Sequence, residues 1–163
     1  MSSSTKIPFD IRSPDVEDLN FILDTWLKSY RQHSKTFKSF ISSKDYTDGY
    51  RKVILTLLQH STVHIAHSID DKNQIYGYAV SNKGVVHYVY VKSPFRRFGI
   101  AKTLCNEFSK NNDIEFYTHY THYAKGLVST LSARYNPFFL MKGVNYGKKE
   151  TKQETGKEAS QQI

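Results

Sequence analysis

The fold of this chain is decided by the stretch VVHYVYVKSPFRRFGIA, which occupies positions 85–101. Residues 85–91 are almost all β-branched or aromatic, a composition typical of a largely buried strand. Pro94 ends that strand, and apolar residues then repeat at helical spacing, at Ile100, Leu104 and Phe108. The stretch therefore predicts a strand, a basic turn, and a helix that begins near Gly99.

The turn between the strand and the helix has the features of an anion-binding site. The first turn of a helix leaves backbone N–H groups unpaired and carries the positive end of the dipole, so it attracts anions. Arg96 and Arg97 precede it, and Gly99 permits a positive φ or a close approach of the backbone to a ligand. Ala101 keeps the start of the helix narrow. We interpret the turn as a diphosphate cradle; the alternative is an ordinary connection whose arginines point into solvent.

The residues Arg96-x-x-Gly99-x-Ala101 resemble the coenzyme-A signature of the GNAT superfamily of N-acetyltransferases, R/Q-x-x-G-x-G/A. In that family the preceding strand commonly ends in valine, as here at Val91. Its loop commonly carries an aromatic residue before the first arginine, as here at Phe95. The resemblance implies an α/β fold with a mainly antiparallel mixed sheet, one parallel pair of strands, and flanking helices. It also implies acetyl-coenzyme A as the acetyl donor.

The remaining elements follow the order of that family over about residues 7–147. Periodicity and turn residues predict helices at 13–30, 46–60, 99–110 and 127–135, with a loop at 31–43. They predict strands at 7–11, 62–68, 75–80, 85–91, 114–120 and 138–141. A strand, a helix and a strand in succession from position 85 imply a right-handed crossover with parallel pairing.

Length and composition predict one domain, because 163 residues suffice for one sizeable core. We assign residues 1–147 to a single GNAT-like domain and residues 148–163, which are charged and polar, to a disordered tail. The single cysteine, Cys105, excludes an intrachain disulfide and a cysteine-rich metal site. No stretch is apolar enough to cross a bilayer and the N-terminus has no signal region, so we expect a soluble, cytoplasmic protein.

The formal net charge of +8 is compatible with nucleic acid, an acidic surface, or a polyanionic cofactor as partner. The basic residues are scattered, and no helix carries the long basic run that enters a DNA groove. Coenzyme A is itself a polyphosphate and accounts for part of the charge. We therefore expect acetyl-coenzyme A and an amine acceptor as partners, with no membrane partner, and nucleic acid is left open by the charge.

The resemblance also implies which residues hold the cofactor. Backbone groups at the end of the strand, Val89, Tyr90 and Val91, would pair with the pantetheine arm. Backbone N–H groups of the turn and the helix start would hold the pyrophosphate, from Arg97, Phe98, Gly99, Ile100 and Ala101. The side chains of Arg96 and Arg97 would add charge-assisted contacts.

The catalytic residues are less well marked, because many relatives carry a glutamate near the start of the strand where this chain has Val85 and Val86. His87 can titrate near neutral pH and is the best replacement as general base; a buried or outward-facing histidine is the alternative. Further candidates are Tyr90, Glu115 and a chain of water molecules. For the general acid, the family's tyrosine on the following helix suggests Tyr123 or Tyr135, although either can be a core residue.

Five histidines could suggest a metal site, but no acidic partner or His-Glu-x-x-His pattern accompanies His119 and His122. We expect no metal and interpret these two as polar surface groups near the mouth of the cleft.

The leading hypothesis is an acetyl-coenzyme-A-dependent N-acetyltransferase that acts on an amine of a small molecule or a protein. The first alternative is a GNAT-like domain without turnover that serves as a binding or structural module, as in a virus or a larger assembly. The second is a basic nucleic-acid binder that uses its tyrosines for stacking. The sequence predicts neither the acceptor nor the oligomeric state.

Overall fold

The structure is a computed structural model and describes residues 7–141. Within that range six strands form one sheet in chain order: β1 (Phe9–Arg12), β2 (Thr62–Ser68), β3 (Ile75–Asn82), β4 (Val85–Val91), β5 (Phe116–Tyr117) and β6 (Arg134–Tyr135). Strands β1 to β4 are antiparallel, whereas β4 with β5 and β5 with β6 are parallel. The predicted mixed sheet with a parallel β4–β5 pair is confirmed.

Five α-helices flank the sheet in the described part of the chain: α1 (Asp18–His33), α2 (Lys35–Phe40), α3 (Ser43–Gln59), α4 (Ile100–Ser109) and α5 (Lys125–Leu131). Side chains of a strand alternate between its two faces, so the sheet contributes to two separate cores. One core packs under α1 and α3 and includes Trp26, Ile54 and Tyr78. The other packs under α4 and includes Ala79 and Leu104. Both cores hold the centre of β4 in place.

The core under α1 and α3 is built largely from aromatic rings. The indole of Trp26, which is fully buried, stacks on the ring of Tyr88 with centroids 4.6 Å apart and planes at 10°. Aromatic pairs of this kind contribute about 0.5–1.5 kcal/mol beyond the area that they bury. This stack fixes α1 against β4. Strand β4 is one side of the region where the sequence predicts the cofactor.

Residues 31–43, predicted as a loop, are mostly helical: α1 continues to His33 and α2 follows directly. Ser34 separates the two helices and caps α2, since its hydroxyl accepts a hydrogen bond from the N–H of Phe37 at 3.4 Å. The Phe37 ring packs against Tyr30 and Tyr46, with centroids 5.6 Å and 5.2 Å away. Tertiary contacts therefore stabilise a segment that has no helical period of its own.

The C-terminal elements are shorter than predicted. The strand predicted at 114–120 is reduced to β5, and α5 ends at Leu131 because Ser132 adopts a left-handed conformation with φ +54°. Tyr135, predicted on a helix, lies on β6, which is held beside β5 by the N–H of Arg134 donating to the carbonyl of Glu115 at 2.9 Å.

The prediction of a strand at 138–141 is wrong, because Pro137–Met141 is a 3₁₀ helix. Pro137 has a φ suited to the first position of a helix, and the side chain of Asn136 accepts a hydrogen bond from the N–H of Phe138 at 3.0 Å.

The predicted tail at 148–163, and the last residues of the predicted domain, lie outside the described residues. In the described range no helix is both long enough and apolar enough to span a bilayer.

Candidate functional site

Strands β4 and β5 pair over two residues and then diverge. Val85 lies opposite Phe116 and Val86 lies opposite Tyr117, and the parallel pairing ends there. Residues 88–91 continue along β3 on one edge, while no strand of the described chain pairs with their other edge. Their outward backbone groups are therefore available to a ligand, except for the carbonyl of Val91, which accepts a hydrogen bond from Arg96.

A β-bulge lies at the point of divergence. Val80 of β3 faces Tyr88 and the next residue, Ser81, faces Val86, so His87 is the extra residue on β4. A bulge increases the local twist of a strand and bends it, which turns the far half of β4 away from β5. The bulge, together with the short β5, opens a cleft between the two strands.

The cleft has a volume of about 730 Å³ and runs from the edge of β4 to the first turn of α4. This volume is in the usual range for small-molecule and cofactor sites, roughly 300–1,000 Å³. Eight of the nine residues predicted to bind the cofactor line it: Val89, Tyr90, Val91, Arg96, Arg97, Gly99, Ile100 and Ala101. The ninth, Phe98, does not line it and has an exposed side chain.

The loop at the end of the cleft has the backbone geometry of an anion site. Arg97 and Gly99 both adopt left-handed conformations, with φ +69° and +81°. The N–H of Thr103 donates to the carbonyl of Gly99 at 3.0 Å, whereas the N–H groups of residues 97–102 have no backbone acceptor in the described chain. A Cβ on Gly99 would meet no atom within 4 Å, so the space above this turn is open. Successive free N–H groups at a helix start form an anion-binding concavity.

The side chains around this turn are cationic. Arg96 is half-buried and anchors the loop, because its Nε donates to the carbonyl of Val91, the last residue of β4, at 3.0 Å. Arg97 and Lys102 are exposed and line the same end of the cleft. The arrangement of three cations around free N–H groups suits a ligand that carries several negative charges.

Comparison of this structure with solved structures gives several matches over most of the chain. The apo form of YjaB from Escherichia coli is 13% identical and has a TM-score of 0.56, over 76% of this chain and 81% of that one. A histone acetyltransferase HPA2 and related acetyltransferase from Corynebacterium glutamicum is 12% identical with a TM-score of 0.56, over 76% and 83%. A GNAT-family acetyltransferase from Staphylococcus aureus is 15% identical with a TM-score of 0.51, over 76% and 82%.

The chain has the GNAT fold. By sequence it matches no protein-family model and no curated protein. The fold agrees with the element order and with the turn at Arg96 and Gly99 from which the resemblance was inferred.

The end of α1 also lines the cleft of this GNAT fold. His33 and Ser29 are four residues apart on that helix and both line the cleft. The Ser29 hydroxyl lies 2.7 Å from the hydroxyl of Tyr88. Partial burial lowers the pKa of His33, and unfavourable electrostatic interactions with Arg96, His122 and Lys38 lower it further. Neither α1 residue is predicted from the sequence, although their helical spacing on a polar stripe is a signal that could have indicated them.

His87, the predicted general base, lies at the point where β4 and β5 diverge. Its side chain is 2% exposed, and burial lowers its pKa from the ordinary value of 6.5 to about 4. It lines a cavity of about 30 Å³ that shares several wall residues with the large cleft: Tyr88, Val89, Thr121, Ala124 and Leu127. His87 is therefore close to the cleft but enclosed.

The two predicted general acids are in different surroundings. Tyr123 lines the cleft, where its ring packs edge-on against His33 with centroids 4.8 Å apart. Tyr135 does not line the cleft: its ring is half-exposed and packs against Tyr117 at 5.4 Å. Helix α5, which follows β5, contains no tyrosine. Of the other base candidates, Tyr90 lines the cleft and Glu115 is exposed outside it.

His119, predicted as a surface group, is buried with 5% exposure. Its Nδ1 lies 2.9 Å from the hydroxyl of Thr118, and its Nε2 hydrogen-bonds the hydroxyl of Tyr50. Burial and the neighbouring His87 lower the pKa of His119 to about 3. His119 therefore belongs to the core, and among residues 7–141 no group of three His, Cys, Asp or Glu side chains could hold a metal ion.

Proposed function

We propose that this protein is an acetyl-coenzyme-A-dependent N-acetyltransferase that acts on an amine of a small molecule or a protein. One observation carries the proposal: the cleft between β4 and β5 ends at a turn whose free N–H groups, left-handed Gly99 and flanking cations fit a diphosphate. Two of the proteins that share the fold are described as acetyltransferases, which supports the proposal.

The residues of the cleft suit the two halves of coenzyme A differently. The N–H groups of residues 97–101 would bind the pyrophosphate, and Arg96 and Arg97 would add charge. The free edge of β4 offers the N–H and carbonyl of Val89 and the N–H of Val91 to the amide-containing pantetheine arm, in the manner of an added strand. The bound thioester would supply the acetyl group at the inner end of the cleft.

Acetyl transfer to an amine requires a neutral nucleophile, hydrogen-bond donors for the developing oxyanion, and a proton for the leaving thiol. His87 is our candidate for the group that receives the amine proton, because it lies at the point where β4 and β5 diverge. Tyr123 is our candidate for the acid, since it lines the cleft whereas Tyr135 does not. Backbone N–H groups at the bulge of β4 are candidates for the oxyanion donors.

The second candidate function is a GNAT-fold domain that binds the cofactor without turnover. The enclosure of His87 favours it, because a 2% exposed imidazole whose pKa is about 4 is a weak base at neutral pH. The apolar residues Val85 and Val86, which stand where many relatives carry a glutamate, favour it as well.

Calorimetric titration with acetyl-coenzyme A tests the binding half of the proposal. We expect binding by the native protein and at least a tenfold weaker affinity in Arg96→Ala, since a hydrogen bond to a charged group contributes about 1.5–3 kcal/mol. Gly99→Glu should abolish binding by filling the cradle with a negative side chain. Lys52→Ala, which removes an exposed cation of α3, is the control and should bind normally. Absence of heat from the native protein would overturn the proposal.

Release of free thiol in the presence of a panel of amines then separates the two candidate functions. An N-acetyltransferase releases thiol in proportion to amine for at least one acceptor. A binding module retains its affinity for acetyl-coenzyme A and releases no thiol with any acceptor. Propionyl- and succinyl-coenzyme A in the same assay identify the acyl group that the inner end of the cleft accepts.

A further inference from the structure

A continuous chain of hydrogen bonds runs through the core from β4 to α3. Nδ1 of His87 lies 3.0 Å from Oγ1 of Thr118, and the same oxygen lies 2.9 Å from Nδ1 of His119. Nε2 of His119 hydrogen-bonds the hydroxyl of Tyr50. We call these four side chains the polar chain. Its members come from three separate parts of the sequence, so only the fold assembles it.

The polar chain has one end beside the cleft and the other beneath α1. At the inner end, His87 lines the 30 Å³ cavity, and its Nε2 has no hydrogen-bond partner among residues 7–141. At the outer end, Tyr50 is half-buried beside Tyr30, with ring centroids 5.2 Å apart. The chain thus connects the cleft with the aromatic cluster at the surface of α1 and α3.

Two arrangements of hydrogens give each of the three hydrogen bonds of the polar chain one donor and one acceptor. A neutral imidazole carries one N–H and one bare nitrogen, and a buried hydroxyl needs an acceptor for its hydrogen. In the first arrangement Tyr50 donates to His119, His119 to Thr118, and Thr118 to Nδ1 of His87, so Nε2 of His87 carries a hydrogen. In the second arrangement each of these bonds is reversed, and Nε2 of His87 is bare.

The surroundings keep the polar chain uncharged. Burial lowers the pKa of His87 to about 4 and that of His119 to about 3, so neither imidazole is protonated at neutral pH. The groups packed around His119 are rings without formal charge: Trp26, Tyr30, Tyr50 and Tyr88. A proton can therefore cross this region only if each hydrogen moves one step along the chain while no imidazolium accumulates.

We propose that the polar chain conducts protons between the inner end of the cleft and Tyr50, and so connects the acetyl-transfer site with the surface. The inference rests on the proposed function. From the second arrangement, Nε2 of His87 takes a proton from the acceptor amine, whose nitrogen keeps the bonding electron pair. The hydrogens of His87, Thr118 and His119 each move one step, and Tyr50 releases its original proton to water.

After the outward transfer the polar chain is in the first arrangement. A proton that enters at Tyr50 returns it to the second arrangement. Nε2 of His87 then returns a hydrogen to the cleft, and this hydrogen replaces the proton that Tyr123, the candidate acid, gives to the leaving thiol. One proton leaves and one returns, so charge and hydrogens balance over a turnover. The low basicity of His87 is compatible with this role because the proton does not remain on the imidazole.

Imidazole ¹⁵N NMR tests the polar chain without reference to activity. We expect Tyr50→Phe to shift the ring-nitrogen resonances of His87, which Tyr50 does not touch, because the tautomers are coupled through Thr118 and His119. In a Thr118→Val background the same substitution should leave His87 unchanged, whereas in Thr118→Ser the transmitted shift should persist. Tyr46→Phe is the matched control: its hydroxyl donates to the carbonyl of Leu27 at 2.9 Å, outside the polar chain.

Unchanged His87 resonances in Tyr50→Phe would overturn the proposal. If that variant does not fold, the same comparison is made with His119→Gln, which breaks the chain one step closer to His87. Turnover gives a second readout: Thr118→Val should lower kcat by about 100-fold with unchanged affinity for acetyl-coenzyme A, and Thr118→Ser should restore it. Native kcat in Thr118→Val would contradict conduction. Failure of acetyl-coenzyme A to bind would instead overturn the proposed function and leave the NMR result intact.

Discussion

The guanidinium of Arg96 lies 4.3 Å from the centroid of the Tyr123 ring. This cation–π contact joins the basic turn before α4 to the segment before α5, and both segments line the cleft. The edge of the same ring meets His33 of α1, with centroids 4.8 Å apart and planes at 89°. Tyr123 therefore holds three walls of the cleft together in addition to lining it.

The first prediction separates the ring of Tyr123 from its hydroxyl. Tyr123→Phe keeps the stack on Arg96, so we expect native affinity for acetyl-coenzyme A. If the hydroxyl is the general acid, kcat falls by about 10²–10⁴-fold. Tyr135→Phe, outside the cleft, should retain native kcat. Equal kcat in the native protein and Tyr123→Phe would exclude this hydroxyl as the acid.

The second prediction concerns Gly77 of β3, where the backbone of β4 approaches closely. A Cβ at this position would overlap the carbonyl oxygen of Tyr90, a backbone atom that cannot rotate away. Gly77→Ala should therefore lower the free energy of unfolding by more than about 2 kcal/mol, because overpacking against backbone is costly. Gly49, exposed in α3 with open space around it, is the matched control. Gly49→Ala should raise stability by about 0.5–1 kcal/mol, and chemical denaturation measures both changes.

The third prediction uses the left-handed serine that ends α5. Ser132 has φ +54°, a conformation that costs a residue with a side chain roughly 1–2 kcal/mol and glycine much less. Ser132→Gly should therefore raise the midpoint of thermal unfolding. Ser129→Gly, at an exposed position within the same helix, should lower it, since glycine in a helix interior costs about 1 kcal/mol. A decrease for both variants would show that Ser132 makes contacts that outweigh its strain.

The fourth prediction is acid sensitivity that arises from the buried histidines. In the unfolded chain His87 and His119 bind protons below their ordinary pKa of 6.5, whereas in the native state they bind only below about 4 and 3. The unfolded state therefore binds more protons between these limits, and the free energy of unfolding decreases as the pH falls through this range. The slope is on the order of 1.4 kcal/mol per pH unit for each histidine.

Urea unfolding at a series of pH values measures this slope. His119→Gln keeps a polar side chain that does not titrate, so the slope should decrease by about the contribution of one histidine. His60→Gln, at the exposed end of α3, should keep the native slope. A native slope in His119→Gln would mean that other groups cause the acid sensitivity.

Local sequence predicts those strands and helices whose apolar residues repeat with the period of the element itself. The three consecutive strands β2, β3 and β4 and the helix α4 follow from alternation and from turn residues, and the structure confirms them. Gly99 was expected to permit a positive φ and has φ +81°. The segment at 31–43 and the elements after β5 were predicted less well, because long-range contacts, such as those of Phe37 with Tyr30 and Tyr46, stabilise them.

By itself the sequence determined the basic turn, the strand before it and the helix after it, since contiguous residues carry all of the turn chemistry. Only the tertiary structure decided where the histidines lie. In the structure His87 is enclosed, and His119, predicted at the surface, lies in the core beside Tyr50. His33 lies in the cleft wall. The physical reason is that burial and hydrogen bonding depend on neighbours distant in sequence, and local pattern does not encode these neighbours.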